Sequence, residues 1–313
     1  MNDYYRNLVR VLAEGNLERR TNIKNGHEAI YRDGKLLFGD SDDPVAEPDL
    51  VESIVAEPHL VFFGCGHVGK ALYDLAVLQD MKVTVFDSRK ELLTQERFPK
   101  ATRICGDYSD ILSKEYENFF APYYCIFTHG HLHDEACLLY ALRHPHSYIG
   151  MIGSKAKIAH CMDIVHENGI TDDMMKKLCT PIGLAINAVT PQEIAVAIMA
   201  QIISVFRADK NAITIDAALA DKASKERGVM ARIIRKEGSS PRSVGSMMFV
   251  TENEIFGTIG GGAVERAAID RAREMLRKNE RLLVEDYSLT PMEPLEMTCG
   301  GQNTVMFKLV AES

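Results

Sequence analysis

The 313-residue chain has no tryptophan, no CxxC spacing among its seven cysteines, and no surplus of positive charge. It also lacks any apolar run approaching the length of a membrane span. Each absence removes a class of function. An odd number of cysteines without paired spacing fits free thiols in a reducing cytoplasm, not a disulfide framework. The polar start, MNDYYRN, has no apolar core of the kind a signal peptide carries. With 36 Lys+Arg against 44 Asp+Glu the net charge is −8, which argues against a nucleic-acid surface and favours a protein partner. There is no internal repeat and no low-complexity tract, so a solenoid or a disordered tail is not expected. What remains is an ordinary globular composition, 46% hydrophobic and 26% charged, at a length that suits two domains. The expected setting is cytoplasmic, with neither membrane nor nucleic acid as partner.

The most informative stretch is His59–Arg89, HLVFFGCGHVGKALYDLAVLQDMKVTVFDSR. An apolar run, Leu60–Phe63, leads into Gly64, Gly66 and Gly69. A helical pattern follows, with Val68, Leu72, Leu75 and Leu78 on one stripe, and a second apolar strand, Met81–Phe86, ends at Asp87. Strand, glycine turn, helix and acid-tipped strand make the dinucleotide-binding fingerprint in its required context. Gly64 would make the turn, Gly66 would let backbone approach a pyrophosphate, and Gly69 would pack helix on strand. The helix N-terminus would then face the phosphates, and Asp87 a ribose diol. Arg89, two residues on, leaves a phosphate-bearing ligand such as NADP open as well.

Further strand-like runs alternate with helical ones. Arg103–Cys105 leads to Gly106 and Asp107, Tyr123–Phe127 to Thr128 and His129, Tyr148–Ile152 to Gly153 and Ser154, and Leu178–Pro181 to Ile182 and Gly183. Helices are expected over Glu91–Glu96, Glu135–Arg143 and Lys157–Asn168. A last one opens with Thr190, Pro191 and Glu193 as a capping box. The pattern predicts a Rossmann-like, doubly wound parallel sheet over residues 58–210. Ligands sit outside the carboxyl ends of such strands, so Gly64, Asp87, Asp107, His129 and Ser154 are expected to be neighbours.

Residues 1–57 read as a helix, two or three short strands turning at Asp33-Gly34, and an acidic, proline-bearing linker over 39–57 with one helical turn. This segment is too small to hold a core alone. Residues 211–313 read as a smaller α+β domain: a helix over Ile215–Lys225, strands, and a helix over Ala263–Lys278. Three small-residue loops punctuate it. Gly238, Ser239, Ser240 and Arg242 combine backbone donors, hydroxyls and a guanidinium, an anion-binding set. Gly260, Gly261 and Gly262 open a helix, with Glu265 in its first turn either compensating the dipole or contacting a ligand. Cys299, beside Gly300 and Gly301, is either an exposed soft-metal or sulfur-carrying thiol or a small buried turn residue. Tight turns capped by hydroxyls are the plain alternative for the first two loops. In Thr128–Asp134, THGHLHD, three histidines either form part of a metal site or line a loop whose Asp134 caps the next helix. His129 is the candidate proton donor near a bound cofactor.

Taken together, GSSPRSVG, GTIGGGAVE and CGGQ resemble the signature loops of the xanthine dehydrogenase accessory family (XdhC/CoxI type). GCGHVGKAL, THGHLHD, YIGMIGSKAK and CTPIGLAINAVTPQEIAVAI resemble its Rossmann domain. The resemblance implies a maturation factor, chaperone-like more than enzymatic, that binds molybdopterin and aids its sulfuration and insertion into a molybdenum hydroxylase. Ser239, Ser240, Arg242 and Gly260–Gly262 would hold phosphate and pterin. Cys299 would approach the molybdenum or its sulfur ligand, and Gly64, Gly66, Gly69 and Asp87 would hold a nucleotide moiety, NAD(P) or another. Implied partners are the hydroxylase apoenzyme and a cysteine desulfurase, and a homodimer is the default. The chain departs from the family's commoner pattern in two ways. The accessory domain follows the Rossmann domain instead of preceding it, so that residues 1–57 are expected to pack with the C-terminal domain. Ala263 also stands where a branch of the family has cysteine. The rival reading is an NAD(P)-dependent oxidoreductase with His129 as acid/base.

Overall fold

In a computed structural model the protein is described at all residues except 1–2, 13–14, 42, 115–118, 120–121, 130–132, 210–211, 239–242, 289–300 and 311–313 and the side chains of 155 and 217. It divides into two units: residues 57–210, and a composite of residues 1–12, 16–56 and 211–313.

The composite unit begins with α1 (Asp3–Leu12), β1 (Leu17–Thr21), β2 (Glu28–Arg32), β3 (Lys35–Gly39) and β4 (Leu50–Ala56). After the other unit the chain returns as β11 (Ile213–Ile215), α7 (Ala217–Lys225), β12 (Gly228–Gly238), β13 (Met247–Val250), β14 (Ile255–Gly257), α8 (Gly262–Lys278), β15 (Leu282–Ser288) and β16 (Gly301–Val310). Among the described residues one sheet runs β11-β4-β1-β2-β3, and the other, fully antiparallel, runs β14-β13-β12-β16-β15. Alternation along β12 gives the second sheet two different faces. Val229, Ala231 and Ile233 join Met248, Val250, Val305 and Phe307 beneath Ala268, Ala272, Met275 and Leu276 of α8, an apolar core.

The opposite face meets the first sheet through charge. Arg19 Nε donates to Glu52 Oε2 at 2.9 Å, and Arg232 Nη1 lies 2.9 Å from Glu28 Oε1 and 3.1 Å from Glu52 Oε2. All four side chains are 2–3% exposed. Arg232 Nη2 donates to Thr21 Oγ1 at 3.1 Å, and Lys308 reaches Glu28 at 2.9 Å and Asp40 at the rim. Burial pushes the Glu28 carboxyl up, but Lys308, Arg232 and Arg19 outweigh it and hold the group well below the usual carboxylate range. Two arginines against two glutamates balance a layer where an unpaired charge would be costly.

This layer also corrects the linker reading of 39–57. Residues 50–56 form β4, antiparallel to β1 and parallel to β11. Its Glu52 points inward because Arg19 and Arg232 neutralise it.

The other unit contains β5 (His59–Phe63), α2 (His67–Leu78), β6 (Lys82–Asp87), β7 (Thr102–Cys105), α3 (Tyr108–Leu112), β8 (Pro122–Ile126), α4 (Asp134–Arg143), β9 (Tyr148–Met151), α5 (Lys155–Glu167), β10 (Leu178–Cys179) and α6 (Pro191–Phe206). Among the described residues its strands pair in parallel in the order β10-β9-β8-β5-β6-β7. That is the doubly wound Rossmann order, with its switch point between β5 and β8. Every residue of β5, β8 and β9 is buried, as expected of strands covered on both faces. Phe63 stacks on Phe86 and Tyr124 at centroid separations of 5.3 and 5.8 Å. The capping box of α6 forms: Glu193 N donates to Thr190 Oγ1 at 3.3 Å, and Thr190 N to Glu193 Oε2 at 2.9 Å.

Two helical readings differ from the structure. Glu91–Glu96 is a chain of turns, in which Arg97 Nη1 donates to the Leu92 carbonyl at 2.8 Å. The helix read from Ile215 begins at Ala217, because Asp216 caps it and Ile213–Ile215 pairs as a strand with β4.

Candidate functional site

Because all six strands of the Rossmann sheet run the same way, their carboxyl ends lie on one edge. Gly64, Asp87, Asp107, His129 and Ser154 all stand at that edge, each at the end of its own strand. Gly64 has φ +121°, and a Cβ there would run into the Phe127 carbonyl. At Gly69 a Cβ would lie 2.7 Å from the Gly64 carbonyl and 2.8 Å from the Phe127 ring, so this glycine permits the close helix–strand approach. Gly66 differs. A Cβ there would meet nothing within 4 Å, and Gly66 caps α2 without any side-chain bond. The helix terminus therefore opens onto free space bounded by backbone, which fits a pyrophosphate.

Asp87 stands at the β6 tip but is fully engaged. Its Oδ2 accepts from Cys65 N at 2.7 Å and Arg89 Nη2 at 2.7 Å, and its Oδ1 accepts from Arg89 N and Arg89 Nε, each at 2.9 Å. Only 2% of the residue is exposed. Burial raises its pKa, yet the bonds from Arg89 and Cys65 win and hold it at about 2. Burial, then the neighbouring Asp87 carboxylate, pushes the Cys65 thiol up to about 12, so this thiol is inert. A carboxylate has about four acceptor positions, and here all four are filled. The expectation that Asp87 receives a ribose diol is accordingly revised: it anchors Arg89.

The THGHLHD segment is organised by Asp134, which is fully buried. Asp134 Oδ1 accepts from Thr128 N at 3.0 Å and from Thr128 Oγ1, and Oδ2 pairs with Lys157 Nζ. Asp134 thus ties the β8 exit to the first turn of α5 and is not the cap of α4, where His133 occupies that position. His133 stacks on Tyr108 at 4.9 Å. His129 is exposed. Asp107 and Ser154 are helix caps: Asp107 accepts from Ser109 N at 2.9 Å, and Ser154 from Lys157 N at 3.4 Å. Among the described residues no group of three His, Cys, Asp or Glu is arranged to hold a metal ion. Lys157 and Thr128 escape a reading of the sequence. The only hint is an acid six residues after a strand-exit threonine, with GSKAK opening the next helix.

In the composite unit, Gly238 of β12 pairs with Gly301 of β16. β14 runs in the same direction as β12 but ends level with Ala231, seven residues before Gly238. Ser239, Ser240, Arg242, Cys299 and Gly300 lie outside the described residues. The triple-glycine loop is described, and Glu265 reaches back into it. Its Oε2 accepts from the amides of Ile259 at 3.0 Å, Gly260 at 3.2 Å and Gly261 at 3.1 Å, and from Thr258 Oγ1. Burial raises the Glu265 pKa, but the Thr258 hydroxyl and these amides bring it below the ordinary value. The nest is real, and the protein's own carboxylate fills it. A phosphate on Gly260 and Gly261 would compete with that carboxylate for the same N–H groups, so the phosphate reading of these two glycines is revised.

Two family models match the chain: one described as the XdhC Rossmann domain over residues 60–202, the other as the XdhC and CoxI family over residues 222–288. An uncharacterized protein of Escherichia coli (strain K12), YqeB, is 30% identical over 153 residues, 47% of this chain and 27% of that protein. A probable xanthine dehydrogenase subunit from Bacillus subtilis (strain 168) is 28% identical over 153 residues, 49% of this chain and 44% of that one. The chain therefore spans less than half the length of either curated relative. A solved structure described as a xanthine dehydrogenase from Bacillus halodurans gives a TM-score of 0.48 at 25% identity, covering 66% of this chain and 65% of its own. Among the described residues no helix is long and apolar enough to cross a membrane.

Proposed function

Since the chain belongs to the XdhC and CoxI family, we propose that it is an accessory factor in the maturation of a molybdenum hydroxylase of the xanthine dehydrogenase class. In this reading it holds molybdopterin while the cofactor is sulfurated and inserted. The observation that supports it is that Gly238 and Gly301, each next in the chain to a segment that carries the family resemblance, are cross-strand partners. Their chain neighbours Ser239, Ser240, Arg242, Cys299 and Gly300 are assigned the pterin, its phosphate and the approach to molybdenum. When bound, the cofactor supplies the metal and its sulfur ligands. The described loop Thr258–Gly262 does not fit the phosphate, because Glu265 already saturates Gly260 and Gly261. Its assigned part is to hold a fixed backbone wall. With Ala263 in place of a second thiol, Cys299 is the one accessory-loop cysteine available, and a cysteine desulfurase is the assigned sulfur donor. The Rossmann unit is assigned a nucleotide, with its pyrophosphate at Gly66.

Metal and pterin content, measured after purification from a host that makes molybdenum cofactor, tests this for wild type and Cys299→Ala. Pterin that co-purifies and falls in the variant supports the reading. No pterin, together with tight NAD(P)H binding, replaces it with an oxidoreductase in which His129 moves the proton.

A further inference from the structure

We infer that the Rossmann slot is built for an adenine dinucleotide carrying a phosphate on its adenosine ribose, NADP(H) in preference to NAD(H), with Arg89 as the residue that sets the preference. This rests on reading the Rossmann unit as a nucleotide slot and is independent of where molybdopterin binds.

In a dinucleotide fold the acid at the tip of the second strand takes the free ribose diol, and it can do so only with open acceptor positions. Asp87 has none, since Cys65 N, Arg89 N, Arg89 Nε and Arg89 Nη2 fill all four at 2.7–2.9 Å. With 2% of the residue exposed, a hydroxyl also has no path to it. A diol would have to evict the Arg89 guanidinium, breaking two of the four bonds. What the β6 tip presents instead is the guanidinium. Arg89 spends Nε and one Nη2 hydrogen on Asp87, which leaves both Nη1 hydrogens and the second Nη2 hydrogen undirected. Its side chain is 22% exposed, and its chain neighbours Ser88 and Lys90 are exposed on the same turn. A guanidinium fixed by a buried carboxylate, with a free N–H edge, matches a phosphate monoester in charge and geometry. It offers nothing that accepts a hydrogen bond from a diol. The open backbone at Gly66, across the paired β5 and β6, supplies the complementary place for the pyrophosphate.

Titrating the full chain with NADPH and with NADH, following nicotinamide fluorescence, tests the inference. NADPH is expected to bind at least about tenfold tighter. Adenosine 2′,5′-bisphosphate should displace it at concentrations where AMP does not. Arg89→Gln should remove the preference by weakening NADPH about tenfold or more while NADH is unchanged or tighter, and Arg89→Lys should retain part of it. The competition experiment uses wild-type protein, so it stands even if an Arg89 variant fails to fold. NADH binding as tightly as NADPH, or AMP competing as well as the bisphosphate, overturns the inference and leaves the nucleotide slot intact. If neither dinucleotide binds, the slot reading falls and the inference with it.

Discussion

Replacing Arg232 with methionine tests the claim that N-terminal and C-terminal strands form one unit through a buried charge layer. Methionine keeps much of the side-chain length, so the change is chiefly one of charge. Arg232 Nη1 serves Glu28 at 2.9 Å and Glu52 at 3.1 Å, with all three side chains 2–3% exposed. Without it, two buried carboxylates share Arg19, and Glu28 leans on Lys308 at the rim. Breaking a buried pair by removing one partner costs about 3–5 kcal/mol. For a unit of this size that lowers Tm by roughly 10 °C. Calorimetry measures the loss, and hydrogen exchange locates it: protection should fall together in β1 and β12, although 211 residues separate Thr21 from Arg232. Adding Glu52→Gln restores the charge balance, so the double variant should be more stable than Arg232→Met alone. The pH dependence has a definite sign. The folded Glu28 carboxyl is depressed, so its contribution is complete above the unfolded pKa of about 4.3 and is lost as pH falls. The gap between wild type and Arg232→Met should therefore narrow towards pH 3. A variant within about 1 kcal/mol of wild type at neutral pH, or loss of protection confined to β12, would refute the reasoning.

Three further outcomes follow from the same geometry. Gly69→Ala should cost about 1–3 kcal/mol in the Rossmann unit, because its Cβ has no room, whereas Gly66→Ala should leave Tm unchanged and weaken nucleotide binding; thermal melts with and without NADPH separate the two. Glu265→Ala should vacate the amide nest, so that added phosphate or sulfate raises the variant's Tm but not that of wild type; equal responses would mean the nest is not filled by Glu265. His59, buried and 2.9 Å from Thr84 Oγ1, is depressed from 6.5 to about 4 by burial and then by Lys82. Its contribution is present above pH 6.5 and is lost between 6.5 and 4, so the Rossmann unit should weaken by up to roughly 3 kcal/mol across that window, and His59→Gln should flatten the profile.

Local chemistry is legible in the chain wherever the partners are close. The glycine turn, the capping box at Thr190 and the convergence of Gly64, Asp87, Asp107, His129 and Ser154 on one edge all follow from spacing and strand direction. What escapes depends on partners far apart in sequence. Glu52 reads as linker acid because Arg19, 33 residues away, cannot be recognised as its counter-ion. Lys157 reads only as the start of a helix, because Asp134, its partner, lies 23 residues earlier. Asp87 and Glu265 are a different case. In sequence, Asp87 reads as waiting for a ligand and Glu265 stays open between two roles, because an isolated carboxylate beside amides looks available. Both are the internal anions that shape their own loops, Asp87 through Arg89 and Cys65, Glu265 through Ile259, Gly260 and Gly261. Hydrogen-bond saturation is a property of the folded chain and has no signature in spacing.

The most direct test of the accessory role is the fraction of sulfurated molybdenum cofactor in a xanthine dehydrogenase-type enzyme produced with and without this chain. The enzyme made without it should carry little sulfurated cofactor, the wild-type chain should restore it, and Cys299→Ala should restore it poorly. Full cofactor sulfuration in the absence of the chain would contradict an accessory role.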